Sequence, residues 1–423
     1  SIWGTRASNG VIVLTSKKGK KNQPLSISVS STLTVGSKPN LYYRPQISSS
    51  DFIDLEQDLF KNNYYFFDQL YNYTPLSPAV EIFIQRSNNQ ITAADSASRI
   101  DALKAYDVRS QLNRYAYRPS VHQQYLLNLS GGNENQHFYI SGGYDKNLAN
   151  SVTDKFDRIT FNANNTFSLL KDRLEITSGI NVSSAQTYSK SDTYTPYTPY
   201  DRLADDKGNS LPVVTLTTLR SSYIDTAGNG KLLDWHYRPK DEFNPNTKAQ
   251  SDQYKINLGF NFKIVKGLNL TGGYQFLKET NTINADYGIS SYFTRSTINQ
   301  YSSIVDNMVV RPVTLGDILY RTEVSSISKT GRLQLNYNEV LAQDHEINAI
   351  AGYEGSDSRS RSTGLILYGY DPELLTNTNN AIDPQKFYPY YYEPFIARQI
   401  QTAPDLRELT NITQSYYANV SYT

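Results

Sequence analysis

"KINLGFNFKI", Lys255 to Ile264, is the stretch whose reading decides the fold. Its apolar residues are Ile256, Leu258, Phe260, Phe262 and Ile264, and between them stand Lys255, Asn257, Gly259, Asn261 and Lys263. A helix would bring its apolar residues back every three to four positions. Strict alternation over this length describes a strand with one apolar and one polar face. The pattern returns at Ile159, Phe161 and Ala163, and at Leu174, Ile176, Ile180 and Val182. It continues at Leu268, Leu270, Tyr274 and Phe276, at Leu333, Leu335 and Tyr337, and at Ile347, Ala349 and Tyr353. Tyr416, Ala418, Val420 and Tyr422 close the series. With Ile27 to Leu33, Tyr125 to Leu129 and Phe138 to Tyr144, about ten strands are predicted.

The connections sharpen the class. The first strand, over 25–36, is followed by a long excursion to about residue 120. Tight turns then join strands two and three (Gly131 to Asn135), four and five (Leu170 to Asp172), six and seven (Val265 to Gly267) and eight and nine (Leu341 to Asp344). At the other end the connections are long, except the one near Asp145 to Asp154. Short turns on one side and long loops on the other are the pattern of an outer-membrane barrel, and a sandwich does not readily produce it. The fold class expected is all-β: an antiparallel transmembrane β-barrel segment whose apolar faces point to lipid, Phe260 outward and Asn261 to the lumen.

Composition agrees. The 423 residues hold 35 Tyr and 16 Phe but one Met, a strand-and-loop balance. Tyrosine suits surfaces that are apolar on one side and wet on the other. Lys and Arg number 41 against 40 Asp and Glu, so no charge excess points to nucleic acid. Cysteine is absent, which removes disulfides and thiol chemistry. No apolar run approaches the roughly 18 residues of a spanning helix.

The first long loop carries helical signals. Ser48-x-x-Asp51 precedes Phe52, Leu55, Leu59 and Phe60; Ser98-x-x-Asp101 stands at a second run with Ile100, Leu103, Val108 and Leu112. Two short helices are predicted there.

Four stretches resemble one family in its own order. "GTRASNGVIVLTSKKGK" (Gly4 to Lys20) resembles the close of the plug domain in SusC/RagA-family TonB-dependent outer-membrane transporters. "KPNLYYRPQISSSDFIDLEQDLF" (Lys38 to Phe60), "VHQQYLLNLSGGNENQHFYISGGYDKN" (Val121 to Asn147) and "DKFDRITFNANNTFSLLKDRLEITSGINV" (Asp154 to Val182) resemble its first barrel strands. The resemblance implies that residues 1–22 end a plug and its linker, and that 23–423 are the N-terminal part of the barrel. The whole barrel would have about 22 strands, so these ten should form an open arc. It further implies nutrient import in the bacterial outer membrane, with the long loops extracellular. The partners implied are a SusD-like surface lipoprotein, the TonB complex acting through the plug, outer-membrane lipids, and an oligosaccharide or peptide as substrate. A secreted β-rich adhesin or carbohydrate-binding protein is the alternative reading.

Catalytic and metal chemistry is not visible. The histidines are His122, His137, His236 and His345. His345-Glu346 opens like a zinc-protease helix, but Ala349 stands where the second ligand belongs. No G-x-S-x-G elbow and no phosphate-binding G-x-x-x-x-G-K-[ST] loop occurs. Asp225 to Gly230 faintly resembles a calcium loop, but Ala227 and His236 fail as ligands. No cofactor, no metal and no enzymatic activity are expected. N-x-[ST] triplets such as Asn128 and Asn181 fall in strands and arise by chance.

Aromatic loop residues remain. Tyr188, Tyr194, Tyr197, Tyr200, Trp235 and Tyr237 share one long loop; Tyr388, Tyr390, Tyr391 and Tyr392 lie in the last, and Tyr64 to Phe67 in the first. Long loops in compact proteins are usually functional, and aromatic rings give large rigid contact area. Tyr194, Tyr197, Tyr200, Trp235, Tyr390 and Tyr391 are therefore expected to touch substrate or partner.

Overall fold

A computed structural model describes residues 17, 19–191, 194–341, 345–378, 382–402 and 405–423. The plug-like stretch up to residue 16 lies outside the described residues. β1 (Ser26–Gly36) leads into five helices: α1 (Ser49–Lys61), α2 (Phe66–Leu70), α3 (Pro78–Ser87), α4 (Ala93–Lys104) and α5 (Val108–Tyr115). Strands β2 (Ser120–Gly132), β3 (Gln136–Leu148), β4 (Lys155–Leu169) and β5 (Leu174–Ser189) follow. A loop with α6 (Ser221–Ile224) leads to β6 (Thr247–Val265) and β7 (Leu268–Tyr287). Helix α7 (Tyr292–Tyr301) and a small hairpin, β8 (Ser303–Val305) with β9 (Met308–Val310), precede β10 (Asp317–Leu341) and β11 (His345–Tyr370). A second small hairpin, β12 (Phe387–Pro389) with β13 (Ala397–Gln399), precedes β14 (Asp405–Tyr422).

The ten expected strands are the ten of one antiparallel sheet, ordered β1-β2-β3-β4-β5-β6-β7-β10-β11-β14. Among the described residues β1 pairs with β2 alone and β14 with β11 alone, so the sheet is open at both edges. Turn chemistry fixes the short connections. The Asn133 side-chain oxygen accepts from the backbone N–H groups of Asn135 (2.9 Å) and Gln136 (2.8 Å), an Asx turn between β2 and β3. Leu170, Lys171 and Asp172 all take positive φ (54°, 53° and 62°) between β4 and β5, and Gly267 does so (75°) between β6 and β7. The turn predicted at Leu341 to Asp344 lies, from residue 342, outside the described residues.

Directly opposed residues of an antiparallel ladder share a face. The registers therefore carry one apolar row through Ile27, Leu129, Ile140, Ala163, Ile180, Ile256 and Phe276. A second row runs through Leu169, Leu174, Phe262, Leu270, Leu335, Ala351 and Ala418. Leu127, Ile180, Ile256, Leu258 and Leu333 on this face are exposed. The other face is polar and cross-linked: the Tyr139 hydroxyl donates to Asn128 (2.7 Å) and Gln275 donates to Asn257 (2.9 Å). Arg332 donates to the Tyr417 hydroxyl (2.7 Å), which donates to Gln334 (2.8 Å). No helix among the described residues is long and apolar enough to cross a membrane.

The enclosed core lies in a layer of loops beyond the sheet. Ile298, Val313, Ile382, Tyr388 and Ile400 from the loops bury Ile318, Ile366 and Tyr368, at the long-loop ends of β10 and β11. Ile318, Ile366 and Tyr368 share the parity of Gln334 and the other polar-face residues, so the loops close over that face. Five helices, not two, fill the first loop. The cap at Ser48 is as predicted: its hydroxyl accepts from the Asp51 N–H (3.0 Å). The second predicted cap is corrected. Ser98 sits inside α4, which Thr92 and Asp95 start with a complete capping box. Asp107 then caps α5 by accepting from the Arg109 N–H (2.9 Å), so Val108 and Leu112 belong to a different helix from Ile100 and Leu103. Helix α3, missed in the sequence, is the most buried of the five.

Candidate ligand and partner site

Asp201 organises the segment that carries three of the expected tyrosines. It accepts from the Tyr194 hydroxyl (2.6 Å), the Thr198 hydroxyl (2.5 Å) and the Tyr197 N–H (3.0 Å). Tyr200, next in the turn, donates its hydroxyl to Glu56 of α1 (2.7 Å) and packs with Ile53, Ala79 and Phe83. One short segment is thus tied to the helices of the first loop by one ring and to the Val108–Leu203 core by another. Tyr194, Tyr200 and Trp235 are 7%, 1% and 3% exposed; Tyr197 is half-buried.

Trp235 donates its indole N–H to Ser296 of α7 (3.0 Å) and lies 6.2 Å from the rings of both Tyr391 and Tyr392. Tyr392 also meets Tyr73 of the first loop (5.3 Å), which meets Tyr223 (6.4 Å). Tyr390 packs on Tyr301 (5.5 Å), and the Tyr391 N–H donates to the Gln300 carbonyl (2.7 Å). Aromatic clusters from four separate loops therefore form one mesh, with Tyr390 and Tyr391 half-buried at its margin. Two ion pairs staple it: Arg220 holds Glu81 of α3 through two bonds (2.6 and 2.9 Å), and Lys190 meets Glu242 (3.3 Å).

Beside the mesh is a cavity of about 820 Å³. Its aromatic walls are Tyr194, Tyr197, Tyr237, Tyr292 and Phe293, interspersed with the hydroxyl and amide groups of Thr217, Ser296, Thr297 and Gln300. The size and the balance of apolar wall to few polar groups are those of a small-molecule site. Burial pushes the Tyr292 phenol up to about 12 and drives the Tyr194 phenol further up, so both are neutral donors at any physiological pH. Tyr237 belongs to the aromatic set of the long loop but not to the six residues expected at the site, and Tyr292 and Phe293 stand outside both. The signal for α7 was present in Ser291, whose hydroxyl accepts from the Thr294 N–H (3.3 Å).

Burial also raises the carboxyls of Glu56 and Asp201, despite the hydroxyls that bond them. At Asp234 burial pushes the same way, but hydrogen bonds from His236 and Arg238 outweigh it and hold that carboxyl low. Among the described residues no three His, Asp or Glu side chains gather as a metal would need. The arrangement offers neutral donors and ring faces, which is equipment for binding.

No protein-family model and no curated protein matches the sequence. Among solved structures, all of this chain aligns with the RagAB peptide importer in its closed-closed state (TM-score 0.67, 15% identity) and in its open-open state (0.66, 15%). A further structure of the RagAB peptide transporter aligns as well (0.66, 14%). The chain spans 42–43% of the length of those chains. The likeness establishes the fold: the ten-stranded sheet is a stretch of the same kind of barrel wall.

Proposed function

We propose that this chain is part of an outer-membrane importer of the SusC/RagA kind, in which residues 23–423 form the N-terminal part of the barrel wall and 1–22 end its plug. The long loops face outward under a SusD-like lipoprotein, TonB acts through the plug, and the cargo is an oligosaccharide or a peptide. The observation that carries this reading is the loop layer, which closes over the polar face of an open barrel wall and encloses a neutral, ring-lined cavity of about 820 Å³. The adhesin alternative fares worse, because it leaves in water an apolar sheet face far larger than the few hundred Å² a soluble surface tolerates.

Within this reading Tyr194 and Tyr197 meet cargo at the cavity, Tyr390 and Tyr391 meet cargo or lipoprotein at the mesh margin, and Tyr200 and Trp235 hold the others in place. The test is Tyr197→Ala with Gln300→Ala, two cavity residues outside the packed cores. Uptake should fall about tenfold, the effect of losing roughly 1.4 kcal/mol of contact, with unchanged surface level and lipoprotein binding. Wild-type uptake in that variant would remove the cavity from the import route.

A further inference from the structure

On the apolar face of the sheet, the chemistry changes along β7, β10 and β11 towards the loop layer. Tyrosines come first: Tyr254 stands opposite Lys278, Tyr274 opposite Gly331, and the Tyr353 and Tyr416 rings lie 5.0 Å apart. Aromatic girdles of this kind mark the edge of a barrel's lipid belt. Cations follow on the same face. The ladders set Lys278 opposite Ile327, Ile327 opposite Arg359, and Ser325 opposite Arg361, with Lys329 one step nearer the belt. All four cations are exposed; Lys329, Arg359 and Arg361 line a hollow of about 330 Å³, and Lys278 stands beside it, opposite Ile327 of its wall.

Their pairing is incomplete. Arg359 donates two bonds to Asp357 (3.2 Å each), and Glu408 stands opposite Arg361 in the ladder. Among the described residues the side chains of Lys278, Lys329 and Arg361 have no ion pair or hydrogen bond. Elsewhere on this face Lys155 and Lys248 are accommodated over the Tyr188 ring (4.1 and 5.7 Å). Four cations against two carboxylates, at the depth where the apolar belt ends, complement an anionic headgroup.

We propose that Lys278, Lys329, Arg359 and Arg361 form a binding site for the phosphate of a phosphorylated lipid headgroup in the leaflet that meets the long loops. This rests on the reading of the sheet as a membrane wall. The full-length natural protein is reconstituted in phosphatidylcholine vesicles containing diphosphoryl lipid A, extracted in mild detergent, and its retained lipid is counted by native mass spectrometry. Wild type should retain diphosphoryl lipid A. Lys278→Gln/Lys329→Gln/Arg361→Gln should retain at least tenfold less, while Lys171→Gln/Lys207→Gln/Lys386→Gln, a charge-matched control, matches wild type. Dephosphorylated lipid A should be retained no better by wild type than by the first variant. Equal retention by both variants, or equal retention of dephosphorylated lipid, overturns the site, as does displacement of the lipid by millimolar inorganic phosphate. Failure of the protein to insert into vesicles overturns the membrane reading and the site with it; insertion with unchanged retention overturns the site alone.

Discussion

Glu56 and Arg220 show what single residues do in the loop layer. Glu56 is shut in beside Tyr200, and burial raises its carboxyl above its usual value of 4.5. A raised folded-state pKa means that the folded layer holds the proton more tightly than the unfolded chain. Its stabilisation is complete below about pH 4.5 and is lost as pH rises through the folded value. Asp201 works in the same direction. Hydrogen-exchange protection of residues 194–205, corrected for intrinsic rates, should therefore fall as pH rises above about 4.5. Glu56→Gln, which keeps an oxygen for the Tyr200 hydroxyl, should flatten that fall; an unchanged slope would locate the effect in Asp201 alone. Arg220→Ala strands the Glu81 carboxylate and should cost about 3 kcal/mol, whereas removing both partners should cost less. A double variant no more stable than the single one would deny that the pair is desolvated. The sequence marked Tyr194, Tyr200 and Trp235 as important from ring type and loop length. It did not carry their burial, because the residues that enclose them (Phe83, Val108, Ser296) come from other segments.

Elements were legible in proportion to how local their causes are. Strands β6 and β7 follow from alternation alone, and their register turned each apolar list into a continuous face. That face gives a test: Phe260→Arg near the middle of the belt should cost about 2–4 kcal/mol in bilayer folding, and Asn261→Arg close to nothing. Equal tolerance would mean that the sheet does not separate lipid from lumen. Gly272 adds a second. A Cβ built there would collide with the Phe260 ring. Gly272→Val should be poorly folded, and Gly272→Val with Phe260→Ala partly restored, as judged by heat-dependent gel migration. Helix starts were legible where one hydroxyl and one carboxylate sit three apart, as at Ser48. Ser98 and Asp101 repeat that spacing inside α4, whereas the box at Thr92 and Asp95 is the one the backbone satisfies. Ser77 and Pro78 signalled α3 as clearly, but its apolar residues (Ala79, Val80, Ile82, Phe83 and Ile84) spread around the helix and do not form one stripe, because it is buried on several sides.

At the scale of the molecule, the open sheet and the counts of strands and turns were readable from the sequence, whereas the joining of four loops into one layer was not. That joining depends on contacts such as Trp235 with Tyr391 and Arg220 with Glu81, between segments distant in the chain. The bare edges of β1 and β14 have their hydrogen-bonding groups available to further strands. The cross-packed loop layer has one more consequence. Lys207 is exposed in a tight turn whose two arms are anchored in one core, Leu203 within it on one side and Val213, bridged to Tyr237, packed against it on the other. Trypsin should cut the folded protein after Lys207, yet the two pieces should purify together and part only on boiling in detergent. The loops would then behave as a riveted plate, able to tilt as a whole and to survive the loss of one covalent seam.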